Sequence, residues 1–234
     1  TTVVSDTIFS TINKLTATER SGIAIKQMNA HIKLSQIQAS LDQLNLVTNY
    51  SSVGDHYEMN YTNFHDFNDY IDKVHMKASL KNSSISTLDI GYFANIMNKY
   101  PIAVNVAGEV DGTVATISGK NLSLESLHTR FQGDATIIGL PDIDNTLFDI
   151  TSIDATTSGN DLNALIPQTK TSGIDWNKLS TIEYKGSYEG MVSNFYTKGT
   201  LSTNLGNAAI ELNMDFKPDQ PTYQGHIETA SFDI

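Results

Sequence analysis

Cysteine is absent from all 234 residues. That excludes disulfides, zinc–thiolate centres and iron–sulfur clusters. It leaves the compartment open, because many envelope proteins also dispense with cysteine. Positive charge is scarce: 15 Lys and Arg stand against 26 Asp and Glu, for a net charge of -11. The basic residues do not cluster, so nothing here can neutralise a run of phosphates. Nucleic acid is excluded as a partner, and an anionic membrane surface would repel the chain. Long apolar runs are missing too. None approaches the roughly 18 residues a membrane span needs, so a soluble piece is expected.

Apolar residues are nevertheless plentiful, 39% against 18% charged, which argues for a folded chain with one large or two modest domains. The chain opens on Thr1 and stops on Ile234 in an apparent strand, as a part of a longer protein would.

What the sequence does contain is alternation. From Ile102 the even positions read Ile102, Val104, Val106, Gly108, Val110, Gly112 and Val114. The odd positions read Ala103, Asn105, Ala107, Glu109, Asp111, Thr113 and Ala115. A period of two is a β-strand with one apolar face and one mostly polar face. The pattern recurs along the chain and predicts antiparallel strands over 102–117, 127–138, 182–196 and 208–216. Helix is expected in two places. Asp6 can cap a helix over 6–16 carrying Ile8, Phe9, Ile12 and Leu15. Asp89 can cap another over 89–99, with Ile90, Phe93 and Met97 on one stripe, ending before Pro101. Asp161 can start a single turn in DLNALIP, with a loose linker, QTKTSGID, after it.

A weak internal repeat organises the second half. GEVDGTVATI at 108–117 aligns without gaps to GSYEGMVSNF at 186–195, an offset of 78 residues. This divides the chain into a first β-meander unit with short helices, 1–100, and a second and third unit of the same sheet in 101–234. The glycines of GEVDGTV stand in phase with valines inside a strand. That marks bulges, bends or close backbone approach, not a phosphate cradle.

Catalytic signatures are missing. There is no HExxH pair, no G-x-S-x-G elbow and no phosphate loop. His31, His56, His65, His75, His128 and His226 are scattered; His56, His65 and His75 with Asp55 and Asp66 are the best metal set and fall in three different segments. LPDIDNT lacks the glycine and the distant glutamate of a calcium loop and reads as a turn. Glu109, Asp111, Glu183 and Glu189 fall on the polar phase of strands, where a solvated face is the expected reading rather than a glycosidase pair. Trp176, the only tryptophan, follows a loop and reads as the anchor of a short helix. No enzyme, no metal and no cofactor is expected.

An ordered series of stretches carries a resemblance: LNLVTNYSSVGDHYEMNYTNFHDFNDY, STLDIGYFANIM, GEVDGTV, GLPDIDNTLFDI, DLNALIP, GSYEGMVSNFYTKGTLSTNLG and YQGHIETASFDI. From about residue 20 to the end the chain resembles TamB-like proteins of Gram-negative bacteria, in the AsmA-like superfamily. The resemblance implies a periplasmic protein anchored in the inner membrane and reaching toward the outer one. It implies a sheet curled along its length into a trough with an apolar interior, a role in outer-membrane biogenesis and phospholipid transport, and no catalytic residues. Phospholipid acyl chains are the implied ligand, and outer-membrane assembly proteins the implied partners, through regions beyond this chain.

Two destinations for the apolar face follow. In a closed sandwich, two such faces pack about 10 Å apart and touch only protein, as in an all-β binding or adhesion module with its site on loops. In an open trough the face lines a groove for acyl chains. The residues alone favour the sandwich; the resemblance favours the trough. The groove would be lined by Val104, Val106, Val110, Val114, Phe131, Ile137, Tyr184, Tyr188, Val192, Ile210, Leu212, Met214 and Phe216.

Overall fold

The computed structural model describes residues 1–20, 22–92, 95–99, 101–165, 176–217 and 220–230. Among them the chain is nearly all strand. In order these are β1 (Thr2–Val4), β2 (Thr7–Thr18), β3 (Ala24–Leu34), β4 (Gln38–Val47), β5 (Ser52–Val53), β6 (Asp55–Asn60), β7 (His75–Ser86) and β8 (Ala103–Gly112). Then follow β9 (Thr116–Ser126), β10 (Thr129–Ile138), β11 (Leu147–Thr157), β12 (Ile182–Met191), β13 (Asn194–Thr203), β14 (Gly206–Asp215) and β15 (Thr222–Ala230). These fifteen described strands belong to one antiparallel sheet in which sequence neighbours are sheet neighbours, β5 and β6 sharing the place between β4 and β7. Most connections are short, and a tight turn can only return the chain beside itself; the longer ones after β6, β7 and β11 carry helical segments. The chain divides into two compact units, Thr1–Leu122 and Ser123–Ile234.

Several expectations need correction. Residues 7–18 form β2, not a helix; Ile8, Ser10 and Ile12 pair with Leu34, Ile32 and Ala30. Ile8, Ile12 and Leu15 fit a helical stripe, but Ile8 and Ile12 fit a period of two equally well. Pairing with β3 decides it, helped by β-branched Thr7, Thr11, Thr16 and Thr18. The helix expected at 89–99 is instead α2, Thr87–Ile90, capped by the Ser86 side chain on the Leu88 N–H, followed by a separate 3₁₀ turn at Asn95–Lys99. Phe93, in the middle of the expected stripe, lies outside the described residues.

The strand expected over 102–117 stops at Gly112, and that over 182–196 stops at Met191. Both breaks sit at the repeat. Gly112 has φ +137° and Gly190 φ +130°. A Cβ on Gly112 would lie 2.2 Å from the Thr116 carbonyl oxygen, and one on Gly190 2.5 Å from that of Asn194. The two aligned glycines therefore do the same job: each lets the returning strand approach closer than any side chain allows.

Helical structure joins strands at their ends. A 3₁₀ turn, Phe64–Asp69, runs into α1, Tyr70–Lys73, and α3 spans Gly159–Leu165. Asn63 and Asp66 form a capping box at the start of the first. Asp66 is buried and accepts from the Thr62 backbone N–H at 2.6 Å and the Thr62 hydroxyl at 2.7 Å. Asp161 is buried too and accepts from the His128 N–H and the Thr129 hydroxyl, both at 2.9 Å, tying α3 to the start of β10.

Burial alone would raise the Asp161 carboxyl, but hydrogen bonds from Thr129, His128 and Ser158 outweigh it and hold the group below its ordinary range. A carboxyl lowered by folding contributes stability above its unfolded pKa, and that stability is lost as pH falls through the folded value. Asp161→Asn is therefore expected to lower Tm at pH 7, with the gap from wild type closing as the pH drops below about 4. Thermal melts between pH 2 and 7 measure this; a gap independent of pH would remove Asp161's charge from the account.

Candidate functional site

Register places the apolar residues of Ser123–Ile234 on one face. Ile137 stands opposite Phe148, and Ala135 opposite Ile150. Phe148 and Ile150 face Gly190 and Tyr188, and beyond a bulge Ile153 and Ala155 face Gly186 and Tyr184. Tyr184 and Tyr188 face Leu201 and Thr197, and Gly190 faces Phe195. Phe195, Thr197 and Leu201 face Met214, Leu212 and Ala208, which lead on to Tyr223, Gly225 and Thr229 of β15. No strand position on this face carries a charge. The alternate positions (Asp154, Lys185, Lys198 and Glu211 among them) make the other face ionic, with Lys185–Asp154 and Lys198–Glu211 pairs at 2.9 Å.

Several polar groups on the apolar face are bonded within the sheet. The Tyr184 hydroxyl donates to the Ser187 carbonyl at 3.0 Å, and the Thr197 hydroxyl donates to the same oxygen at 2.8 Å. The Tyr188 hydroxyl donates to the Met191 carbonyl at 2.9 Å, and burial pushes that phenol up to about 12. Thr129 and Thr157 hydroxyls meet at 2.7 Å. With their hydroxyls committed, Tyr184 and Tyr188 present ring faces. Tyr188 stacks on Phe195 at 4.6 Å, Phe195 lies 6.1 Å from Phe216, and Phe216 6.0 Å from Tyr223. This aromatic line crosses from β12 to β15.

Burial on this face is uneven. Its buried apolar residues are Ala135, Ile153, Ile182 and Ala208, while Phe131, Phe148, Tyr188, Phe195, Ile210, Leu212 and Met214 keep more of their surface exposed. Tyr223 and Ile227 are exposed. Large side chains in a sandwich core are covered by an opposing sheet; here they keep part of their surface.

Thr1–Leu122 repeats the pattern. Val104, Val106 and Val110 face Ile85, Ser83 and Ala78 of β7. Ala78 and Met76 face Tyr57 and Met59, which face Leu41 and Ala39. The segment Phe64–Lys73 covers part of this face: the Tyr70 hydroxyl meets that of Tyr57 at 2.7 Å and reaches the Met59 sulfur at 3.8 Å. Burial, reinforced by Tyr70, drives the Tyr57 phenol far above its ordinary pKa.

The structure thus aligns Val104, Val106 and Val110 on one face in the first unit. In the second it aligns Phe131, Ile137, Tyr184, Tyr188, Ile210, Leu212 and Met214. Phe216 follows β14 and joins the aromatic line. Val114 and Val192 lie outside the strands, in the turns after Gly112 and Met191, and Val192 is exposed. Sequence reasoning missed Phe148, Ile150, Phe195 and Leu201, although Phe195 and Leu201 alternate with polar residues in NFYTKGTLST.

The polar candidates do not converge. His56 pairs with Asp42 at 2.7 Å, His75 with Asp111 at 3.0 Å, Asp55 with Lys81 at 3.0 Å, and Glu109 accepts from Ser79. Among the described residues no three His, Asp or Glu side chains are grouped to hold a metal ion. LPDIDNT is a turn in which Asp142 accepts from Asn145 and Thr146. Trp176 opens a short 3₁₀ turn, Trp176–Lys178. No described helix is long and apolar enough to cross a membrane. Comparison with family models, curated proteins and solved structures found no match.

Proposed function

We propose that this chain is a segment of a periplasmic, TamB-like protein whose sheet curls about its uncharged face to offer phospholipid acyl chains an apolar β-groove. One observation carries the reading: an apolar sheet face with no charge, on which the Tyr184, Tyr188 and Thr197 hydroxyls donate to backbone carbonyls and whose large side chains stay partly exposed. A saturated chain needs only contact area, roughly 0.8 kcal/mol per buried methylene, and no polar partner. A polar ligand would find no charge and few hydroxyls to bond across β10 to β14. The ordered resemblance to TamB-like proteins supports the same substrate, the inner-membrane anchor and a role in outer-membrane biogenesis.

The test is whether the purified chain carries lipid. Solvent extraction and native mass spectrometry of protein made in a Gram-negative periplasm are expected to find bound phospholipid. The delipidated chain is expected to enhance cis-parinaric acid fluorescence. A lipid-free preparation that also leaves the probe dark would favour a closed binding module.

A further inference from the structure

The ionic face of Ser123–Ile234 holds an anomaly of its own. A concavity of about 620 Å³ opens near the turns that end β10 and β12. Its apolar walls are Ile138, Leu147 and Met191, with Phe148 and Phe195 at its border. Ile138 and Leu147 are a cross-strand pair, 45% and 44% exposed, and lie on the side opposite their neighbours Ile137 and Phe148. Beside them Asp149 and Glu189 stand directly opposite each other. Like charges so placed repel across a sheet. Elsewhere on this face acids meet cations, as Asp154 meets Lys185 and Glu211 meets Lys198. Lys217, which also borders the concavity, turns its ammonium to the Met191 sulfur at 3.6 Å.

We propose that this concavity docks a segment of a partner protein that presents an apolar side chain next to a lysine or arginine. The apolar group covers Ile138, Leu147 and Met191, and the cation sits between Asp149 and Glu189, supplying the charge the sheet leaves out. Charge complementarity selects this occupant: an acidic or neutral apolar segment would bury the two carboxylates unpaired. The acid pair and the Ile138–Leu147 pair lie on the face away from the acyl-chain surface, although Phe148 and Phe195 of that surface also border the concavity; docking there does not require lipid to bind.

Three labelled decapeptides probe it on the whole chain by fluorescence anisotropy: alternating Leu–Lys, alternating Leu–Glu and alternating Ser–Lys. Leu–Lys is expected to bind at physiological salt and the other two to bind at least about tenfold more weakly. An Asp149→Asn/Glu189→Gln variant is expected to lose about tenfold for Leu–Lys, and Leu147→Ser several-fold. The acid variant also removes a repulsion, so its Tm is expected to hold or rise. Carbodiimide coupling of Leu–Lys to the wild type, read by mass spectrometry, is expected to mark Asp149 or Glu189 and needs no variant. Equal binding of Leu–Lys and Leu–Glu, or coupling only at other carboxylates, overturns the proposal. So does Ser–Lys binding as tightly as Leu–Lys, which would indicate a site for cations alone.

Discussion

Replacing Gly190 with alanine will destabilise the protein by about 3 kcal/mol or more, and replacing Gly112 will do the same. Two costs combine. At φ +130° and +137° an L-residue is strained whatever its surroundings. The new methyl would also stand 2.5 Å from the Asn194 carbonyl oxygen or 2.2 Å from that of Thr116. Both oxygens are main-chain atoms at the start of the returning strand, so they can retreat only by opening the hairpin. Glu109→Ala, in the same motif but on the exposed face, is expected to stay within about 0.5 kcal/mol of wild type. Urea unfolding of the three variants makes the comparison. Should either glycine variant unfold within about 1 kcal/mol of wild type, the close approach is not a constraint.

The glycines also show which parts of the fold were legible. Alternation identified strands and their apolar phase correctly at Val104–Val110, Tyr184–Tyr188 and Ile210–Met214, because one side chain in two must leave water. It failed to find where strands end. Val114 and Val192 continue the apolar phase through the turns after Gly112 and Met191, and no Asn-Gly or proline announces a break there. The break is written in a backbone angle that only glycine reaches, and sequence shows the glycine without the angle.

Bulges hide in the same way. In β11 the apolar face passes from Phe148 and Ile150 to Ile153 and Ala155, a slip of one residue at Ser152, which has φ +54°. In β7 it passes from Ala78 and Leu80 to Ser83 and Ile85 across Asn82, at φ +52°. A strict period of two assigns half of each such strand to the wrong face. In β2 the ambiguity was between two periods. The residues fit both, and the strand it pairs with made the choice. Of the candidate surface, the sequence thus showed the residue types but neither the neighbours that continue it nor whether another layer covers it.

That last question has a direct answer in charge placement. Leu212 faces Thr197 on one side and Gly225 on the other, half-buried on the uncharged face. If water reaches this face in the lipid-free protein, Leu212→Asp keeps its carboxylate hydrated and destabilises by only about 1 kcal/mol, mostly lost apolar contact. An acyl chain laid over that carboxylate must then strip its water, at a cost of several kcal/mol. Bound phospholipid and cis-parinaric acid enhancement are therefore expected to fall to background while the fold persists. Val74→Asp supplies the reference. Val74 is fully buried, so its carboxylate has no route to water, and a loss of about 4 kcal/mol or more is expected. Circular dichroism melts and lipid extraction on both variants separate the readings. If Leu212→Asp unfolds as Val74→Asp does, the apolar face is a closed core and the adhesion-type module stands. If it stays folded and still carries lipid at the wild-type level, acyl chains bind elsewhere and the groove is not their site.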